Sequence, residues 1–165
     1  MDIRLLNQED VDIWKALRLE MLQNTPESFE TSYEEAIHYS ESDWKNSLNT
    51  SDIFGAFLND KLVASAGFFT LNTLKTKHRG VLFAMYTTPE HRKKGLANRL
   101  IETVITHAKS HAIQLHLGCV TSNLVAMKFY QKHGFKIYGT EPRTLKISHE
   151  FFDEYLMVLD LTTLI

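Results

Sequence analysis

Apolar positions along this chain recur at two spacings, and each spacing predicts an element. Ile3 and Leu5 flank Arg4, the alternation of a short strand. Val11, Trp14, Leu17, Arg18 and Met21 follow a helical spacing, with Asn7 as N-cap and Pro26 beyond the end. Residues 32–48 predict a second, more polar helix or helical pair carrying Glu34, Glu35, Glu41 and Asp43. Ile53 to Leu58 and Leu62 to Leu71 read as strands, and the polar Asn59-Asp60-Lys61 junction makes them a hairpin. Val81 to Thr87 is a third strand, stopped by Pro89. Leu96, Leu100, Ile101, Val104, Ile105 and Ala108 draw the clearest helical stripe. Ile113, Leu115, Leu117 and Cys119 alternate with Gln114, His116 and Gly118, which is again a strand. Asn123 opens a helix that Gly134 closes, and Phe135 to Tyr138 and Tyr155 to Leu161 are the last strands.

The order is β-α-α-β-β-β-α-β-α-β-β. The strands flanking the 96–110 helix imply one right-handed parallel β-α-β unit, and the hairpins imply antiparallel pairing elsewhere. The expected class is α+β: a mixed, mainly antiparallel sheet of about seven strands with helices on both faces. The chain has 165 residues, the size of one domain spanning 1–165, and its 44% apolar content is that of an ordinary globular protein. A formal charge of −2 argues against nucleic-acid binding and against adhesion to anionic membranes.

The single cysteine, Cys119, has no internal partner, and its alternation with Leu115 and Leu117 makes it a small core residue. Residues 1–8 lack the pattern of a secretion signal, and no apolar window is long enough to span a bilayer. The expectation is a cytoplasmic protein. His107 and His111 lie four apart on one helix, but no HExxH or Cys/His cluster supports a metal site. They are expected on a solvated helix face.

Two segments carry chemistry. The first, Pro89-Glu90-His91-Arg92-Lys93-Lys94-Gly95-Leu96-Ala97, joins a strand to the strongest helix. Unpaired backbone N–H groups and the positive end of the helix dipole meet there. Gly95 and Ala97 keep side chains out of the way of an oxyanion, and Arg92, Lys93 and Lys94 add positive charge. The turn suits phosphate or pyrophosphate, although a solvated basic turn has the same composition. Neither G-x-x-x-x-G-K-[ST] nor G-x-G-x-x-G is present. The second segment runs from Asn123 to Phe135. Asn123 and Tyr130 are seven residues apart, nearly two helical turns, so they face the same way, with small Ala126 between them. A tyrosine there is either a proton donor or a core aromatic with a satisfied hydroxyl.

Taken in order, these segments resemble the GCN5-related N-acetyltransferase (GNAT) family. Arg92-x-x-Gly95-x-Ala97 matches the family loop Q/R-x-x-G-x-G/A. The Asn123, Ala126, Phe129-Tyr130 and Gly134-Phe135 positions follow it at the expected distance, and the element order is similar from Ile3 to Leu161. The closing Tyr155-Leu156-Met157 also looks like the family's last strand. The resemblance implies acetyl-CoA as co-substrate. Its pyrophosphate would rest on the backbone of Arg92, Lys93, Lys94, Gly95, Leu96, Ala97 and Asn98. Its pantetheine arm would lie along Met85, Tyr86 and Thr87 and against Asn123. An amine would attack the thioester directly, with the Met85 N–H facing the oxyanion and Tyr130 protonating the departing thiolate.

Some family members carry a glutamate base on the strand before the loop. Here that strand reads Val81-Leu82-Phe83-Ala84-Met85, without a carboxylate. Glu34, Glu35 and His78 remain as candidates, and the base stays unassigned. The missing carboxylate also motivates an alternative, a catalytically inactive CoA-binding sensor or recruitment module. A nucleotide-phosphate binder is weaker, for want of a Mg²⁺-binding motif. The acceptor is expected to be an amine of a small molecule or peptide. Glu27, Glu30, Glu34 and Glu35 favour a cationic one. The oligomeric expectation is a monomer or homodimer.

Overall fold

The structure is a computed structural model and describes residues 1–163. In chain order the elements are β1 (Asp2–Leu5), α1 (Val11–Asn24), α2 (Tyr33–Ala36), α3 (Glu41–Thr50), β2 (Asp52–Leu58), β3 (Lys61–Thr70), β4 (Arg79–Thr87), α4 (Leu96–Ala108), β5 (Gln114–Val120), α5 (Leu124–Lys132), β6 (Lys136–Ile147) and β7 (Glu150–Asp160). The strands form one seven-stranded sheet in the order β1-β2-β3-β4-β5-β7-β6. Among the described residues only β4 and β5 pair in parallel.

Local chemistry sets most boundaries. Asn7 and Asp10 form a capping box at a 3₁₀ turn leading into α1, and Arg4 clamps Asp10 with two bonds of 2.7 and 2.9 Å. The polar stretch after Ser32 becomes two helices because it holds two capping boxes, Ser32 with Glu35 and Ser40 with Asp43. At the β2–β3 turn, Asn59 and Asp60 both have positive φ (48° and 62°), the backbone of a tight two-residue hairpin.

Two buried layers cover the sheet. On one face α4 sets Leu96, Leu100, Ile101, Val104 and Ala108 against Ala56, Ala64, Phe68, Leu115 and Leu117. On the other, Trp14, Leu17, Met21 and Leu22 of α1 and Trp44 of α3 cover Ile53, Leu62, Ala84 and Tyr86. Each large apolar side chain so buried contributes roughly 1.5–3 kcal/mol.

The feature that positions the site is a break in the sheet. β4 and β5 pair only at Arg79↔Gln114, Gly80↔Leu115 and Val81↔His116, and then diverge. Next to the divergence β4 carries a bulge. The β3–β4 register shifts between Ser65 and Gly67, Ala84 has φ +50°, and the buried Ser65 hydroxyl donates to the Ala84 carbonyl at 2.8 Å. The bulge resets the alternation: Leu82 joins the α4 layer, whereas Phe83 and Ala84 both pack with the α1 layer.

Two expectations are corrected. The last hairpin extends well past Tyr138 and starts well before Tyr155, because β6 and β7 pair from Lys136↔Val158 to Ile147↔Glu150. Gly139, Pro142 and a mostly exposed side-chain row hide β6 from any apolar period. Arg143, with φ +52°, marks the register shift that accommodates Pro142 on this edge strand. His107 does not lie on a solvated face either. Its Nε2 is 2.7 Å from the Asp52 carboxylate, and its ring packs edge-on against Phe54 and Phe68 and beside His111. The pair fastens the last turn of α4 to β2. Among the described residues no three His, Cys, Asp or Glu side chains cluster as metal ligands.

Candidate active site

The turn before α4 is a row of free amides. Gly95 is the N-cap, with φ +79°, and Lys93 also has positive φ (60°). The first helical bond is Arg99 N–H to the Gly95 carbonyl at 3.2 Å. Among the described residues, the amides of Lys93, Lys94, Gly95, Leu96, Ala97 and Asn98 have no protein acceptor. A β-carbon at Gly95 would meet nothing within 4 Å, so the glycine answers to backbone conformation and leaves the approach open.

Arg92 departs from the expected row. Its amide donates to Pro89 O at 3.4 Å, its Nε donates to Thr87 O at 3.1 Å, and its guanidinium lies over the Tyr86 ring. It is a strut between the turn and the end of β4. The free amides therefore run from Lys93 to Asn98.

From this turn a groove of about 460 Å³ follows the end of β4 and the face of α5. Met85, Tyr86, Thr87, Arg92, Ala97, Asn123, Ala126 and Tyr130 line it, with Ser28 and Phe29 on the opposite lip. It continues into the opening between β4 and β5, a cavity of about 100 Å³ bounded by residues 82–85 and 117–120. Asn123 and Tyr130 do face the same way, and both line groove and opening.

Each side chain has a definite state. Asn123 caps α5, its Oδ1 accepting from Ala126 N–H at 3.1 Å, so its Nδ2 is the donor left for a ligand. Tyr86 donates its hydroxyl to Glu20 at 3.0 Å and accepts from Asn24 at 3.1 Å, so its side chain is structural. Met85 has no register partner on β3 or β5, and its backbone borders the opening. The Tyr130 hydroxyl has no hydrogen bond among the described residues. Burial, and then neighbouring Cys119, hold its proton on far above the usual phenol range. Cys119 is buried as expected. Burial, and secondarily Glu154, push its thiol up to about 11, which makes it a poor nucleophile.

The base candidates sort by position. Glu35 is exposed and bound to the Ser32 amide and hydroxyl, which lower its pKa. Glu34 is exposed. His78 precedes β4 at its paired end, away from the opening. The carboxylate missed from sequence is Glu154 of β7, in register with Val120 and Glu141. It lies across Gly118, where a β-carbon would collide with it, and Gly118 borders the opening. Burial, then Glu30 and Glu141, raise its pKa. The available signals were its alternation with inward Tyr155 and Met157 and a cross-strand glycine, and neither can be paired without the β5–β7 register.

The profile of the Acetyltransferase (GNAT) family matches residues 14–135, and the chain belongs to that family. An uncharacterised N-acetyltransferase of Mycobacterium bovis is 37% identical over 81 residues, 48% of this chain and 51% of the relative. The match thus spans about half the length of that curated relative. An acetyltransferase of the GNAT family from Streptococcus pneumoniae superposes with a TM-score of 0.83 at 26% identity, covering 95% of this chain and 96% of that one. The phosphinothricin acetyltransferase of Sinorhizobium meliloti, solved in complex with acetyl-CoA, shares the fold. Its TM-score is 0.82 at 15% identity, over 96% of this chain and 87% of that one.

Proposed function

We propose that this protein is an acetyl-CoA-dependent N-acetyltransferase that moves the acetyl group to an amine by direct attack. One observation carries this reading: a groove and an adjoining opening with shared walls run from beside the free amides of Lys93–Asn98, past the unpaired end of β4, to the unbonded hydroxyl of Tyr130. The amides and the α4 dipole suit the pyrophosphate, and the Met85–Thr87 backbone suits the pantetheine amides. Asn123 Nδ2 offers one further donor. A protein of the same fold holds acetyl-CoA.

In the chemical step the amine nitrogen bonds to the thioester carbonyl carbon. The Met85 N–H stabilises the oxyanion, the C–S bond breaks, Tyr130 gives its proton to the thiolate, and the second proton of the attacking nitrogen passes through water to the tyrosinate, restoring Tyr130. The ammonium form of the acceptor must first lose a proton, since a lysine-like amine has a pKa of about 10.4. Glu154, held protonation-prone at the opposite lip, takes that proton directly or through water. This supplies the carboxylate that β4 lacks, and it favours the catalytic reading over a binding-only module. The acceptor reaches the opening past a depression of about 570 Å³ between residues 26–34 and 145–148.

Release of free CoA from acetyl-CoA across a panel of amines tests the reading. Tyr130→Phe removes only a hydroxyl, and kcat should fall by roughly 10²–10⁴-fold with little change in acetyl-CoA affinity. A folded Tyr130→Phe variant with kcat within about twofold of the parent removes Tyr130 from the mechanism.

A further inference from the structure

Arg18 is a half-buried cation that the chemistry above does not use. It follows the fully packed Leu17 on α1, and among the described residues no carboxylate lies within salt-bridge distance of it. Its guanidinium reaches only the Met21 sulfur, at 3.3 Å, and stacks over the Phe29 ring. Burial lowers its pKa to about 10, which still leaves it charged at neutral pH. Charges drawn partly out of water are ordinarily paired, because desolvating an isolated ion is costly.

What Arg18 does border is a cavity of about 410 Å³ between α1, α3 and the sheet, walled by Trp14, Tyr39, Trp44 and Phe83. Asp43, the one carboxylate on its rim, is committed to the Ser40 amide at 2.9 Å as a helix cap. Two residues join this cavity to the candidate active site. Phe83 lines both the cavity and the β4–β5 opening, and Phe29, which carries the guanidinium, lines the opening and the groove. Phe83 is therefore a wall common to the cavity and the opening. The cavity offers aromatic walls and a single unpaired guanidinium, whose planar fork matches a carboxylate.

We propose that Arg18 is the anion-recognising point of the acceptor site, and that the acceptor is an amine bearing a carboxylate on an apolar body. The carboxylate pairs with the guanidinium in the cavity while the amine reaches the opening beside Glu154. This rests on the acetyl-transfer reading, and it narrows the acceptor from any amine to a doubly functional one. The acidic surface around Glu30 and the Arg18 cavity then serve opposite ends of one molecule.

Matched neutral and anionic probes test it without depending on turnover. With CoA present, N-acetylphenylalanine and N-acetylphenylalanine amide are titrated by calorimetry and by the fluorescence of Trp14 and Trp44, which wall the cavity. The acid should bind at least about tenfold more tightly than the amide. Arg18→Gln should erase that preference while leaving CoA affinity unchanged, and Arg18→Lys should restore only part of it. Equal affinities on the unmodified protein, binding of neither probe, or a preference that survives Arg18→Gln would overturn the proposal. The comparison on the unmodified protein stands even if a variant fails to fold. Phenylalanine and phenylalaninamide are then compared as acceptors. Acid-selective binding without CoA release leaves the Arg18 site standing and sinks acetyl transfer. CoA release without acid selectivity does the opposite.

Discussion

Placing a carboxylate at Gly95 separates backbone conformation from anion recognition, because the two effects differ in size and in salt response. Gly95 has φ +79°, which an aspartate adopts at a cost of about 1 kcal/mol. No atom lies within 4 Å of the added β-carbon, so no clash adds to that strain. A negative charge at the N-cap recovers about 0.3–1 kcal/mol from the α4 dipole. Gly95→Asp should therefore lower Tm by no more than about 2–4 °C. Binding responds differently. Two pyrophosphate charges roughly 5 Å from the new carboxylate repel it by ~1.7 kcal/mol in a dielectric of water, and by ~7 kcal/mol at an effective value near 20. The turn is open to solvent, so the smaller end governs. A penalty of about 2–3 kcal/mol weakens acetyl-CoA binding about 30- to 150-fold. Gly95→Ala carries the same strain without the charge and should weaken binding less than about fivefold. Calorimetric titration at low salt and at half-molar salt reads both variants, and the aspartate penalty should shrink as the charges are screened. Affinity within threefold of the parent in folded Gly95→Asp would refute the assignment of the pyrophosphate to this turn.

The other expectations concern groups whose protonation the fold controls. Arg4 and the Asn7 amide hold the nearly buried Asp10 carboxyl below its usual range, so its contribution is fully present above the unfolded pKa and is lost as pH falls through the folded one. Asp10→Asn should accordingly lose about 1–3 kcal/mol in urea melts at pH 7, with the gap closing as the pH drops below about 4. With its thiol near 11, Cys119 holds only about one thiolate in a thousand at pH 8, so iodoacetamide should modify it about 200 times more slowly than a free cysteine. CoA should slow it further, because Cys119 borders the opening, and rapid modification of the native protein would contradict that burial.

What could be read from the chain without its fold depended on which interactions are local. The α4 stripe, the cap at Asn123, the Asn59-Asp60 turn and the glycine closing α5 are encoded within a few residues, and each lies where its spacing predicts, whereas Asn7 caps the 3₁₀ turn ahead of α1 rather than α1 itself. The candidate groove was legible for the same reason, since its amides and Tyr130 sit on two short contiguous segments. Glu154 was not, because its role depends on a glycine 36 positions earlier in the chain, brought beneath it by β5–β7 pairing. Nor was the setting of Arg18, whose helical spacing says that it faces inward but not that no carboxylate awaits it. β6 escaped because backbone pairing with β7, rather than an apolar face, makes it a strand. The pairing of His107 with Asp52 joins residues 55 positions apart, and no local pattern announces it.

The three rungs that join β4 to β5 also make the sheet mechanically weakest where the ligand is proposed to enter. On one side four strands are laced together by longer ladders, and on the other three are. Between them, Arg79–Val81 and Gln114–His116 act as the short closed end of a zipper whose teeth stand apart from Leu82 and Leu117 onward. A pantetheine arm bonded to one lip and packed on the other becomes a set of removable teeth. In that placement its occupancy would couple the two blocks, so that bending at the seam and exchange of the lip amides should slow together. In the proposed placement the arm would be a transient strand-like member of the sheet, and its release would unfasten the seam.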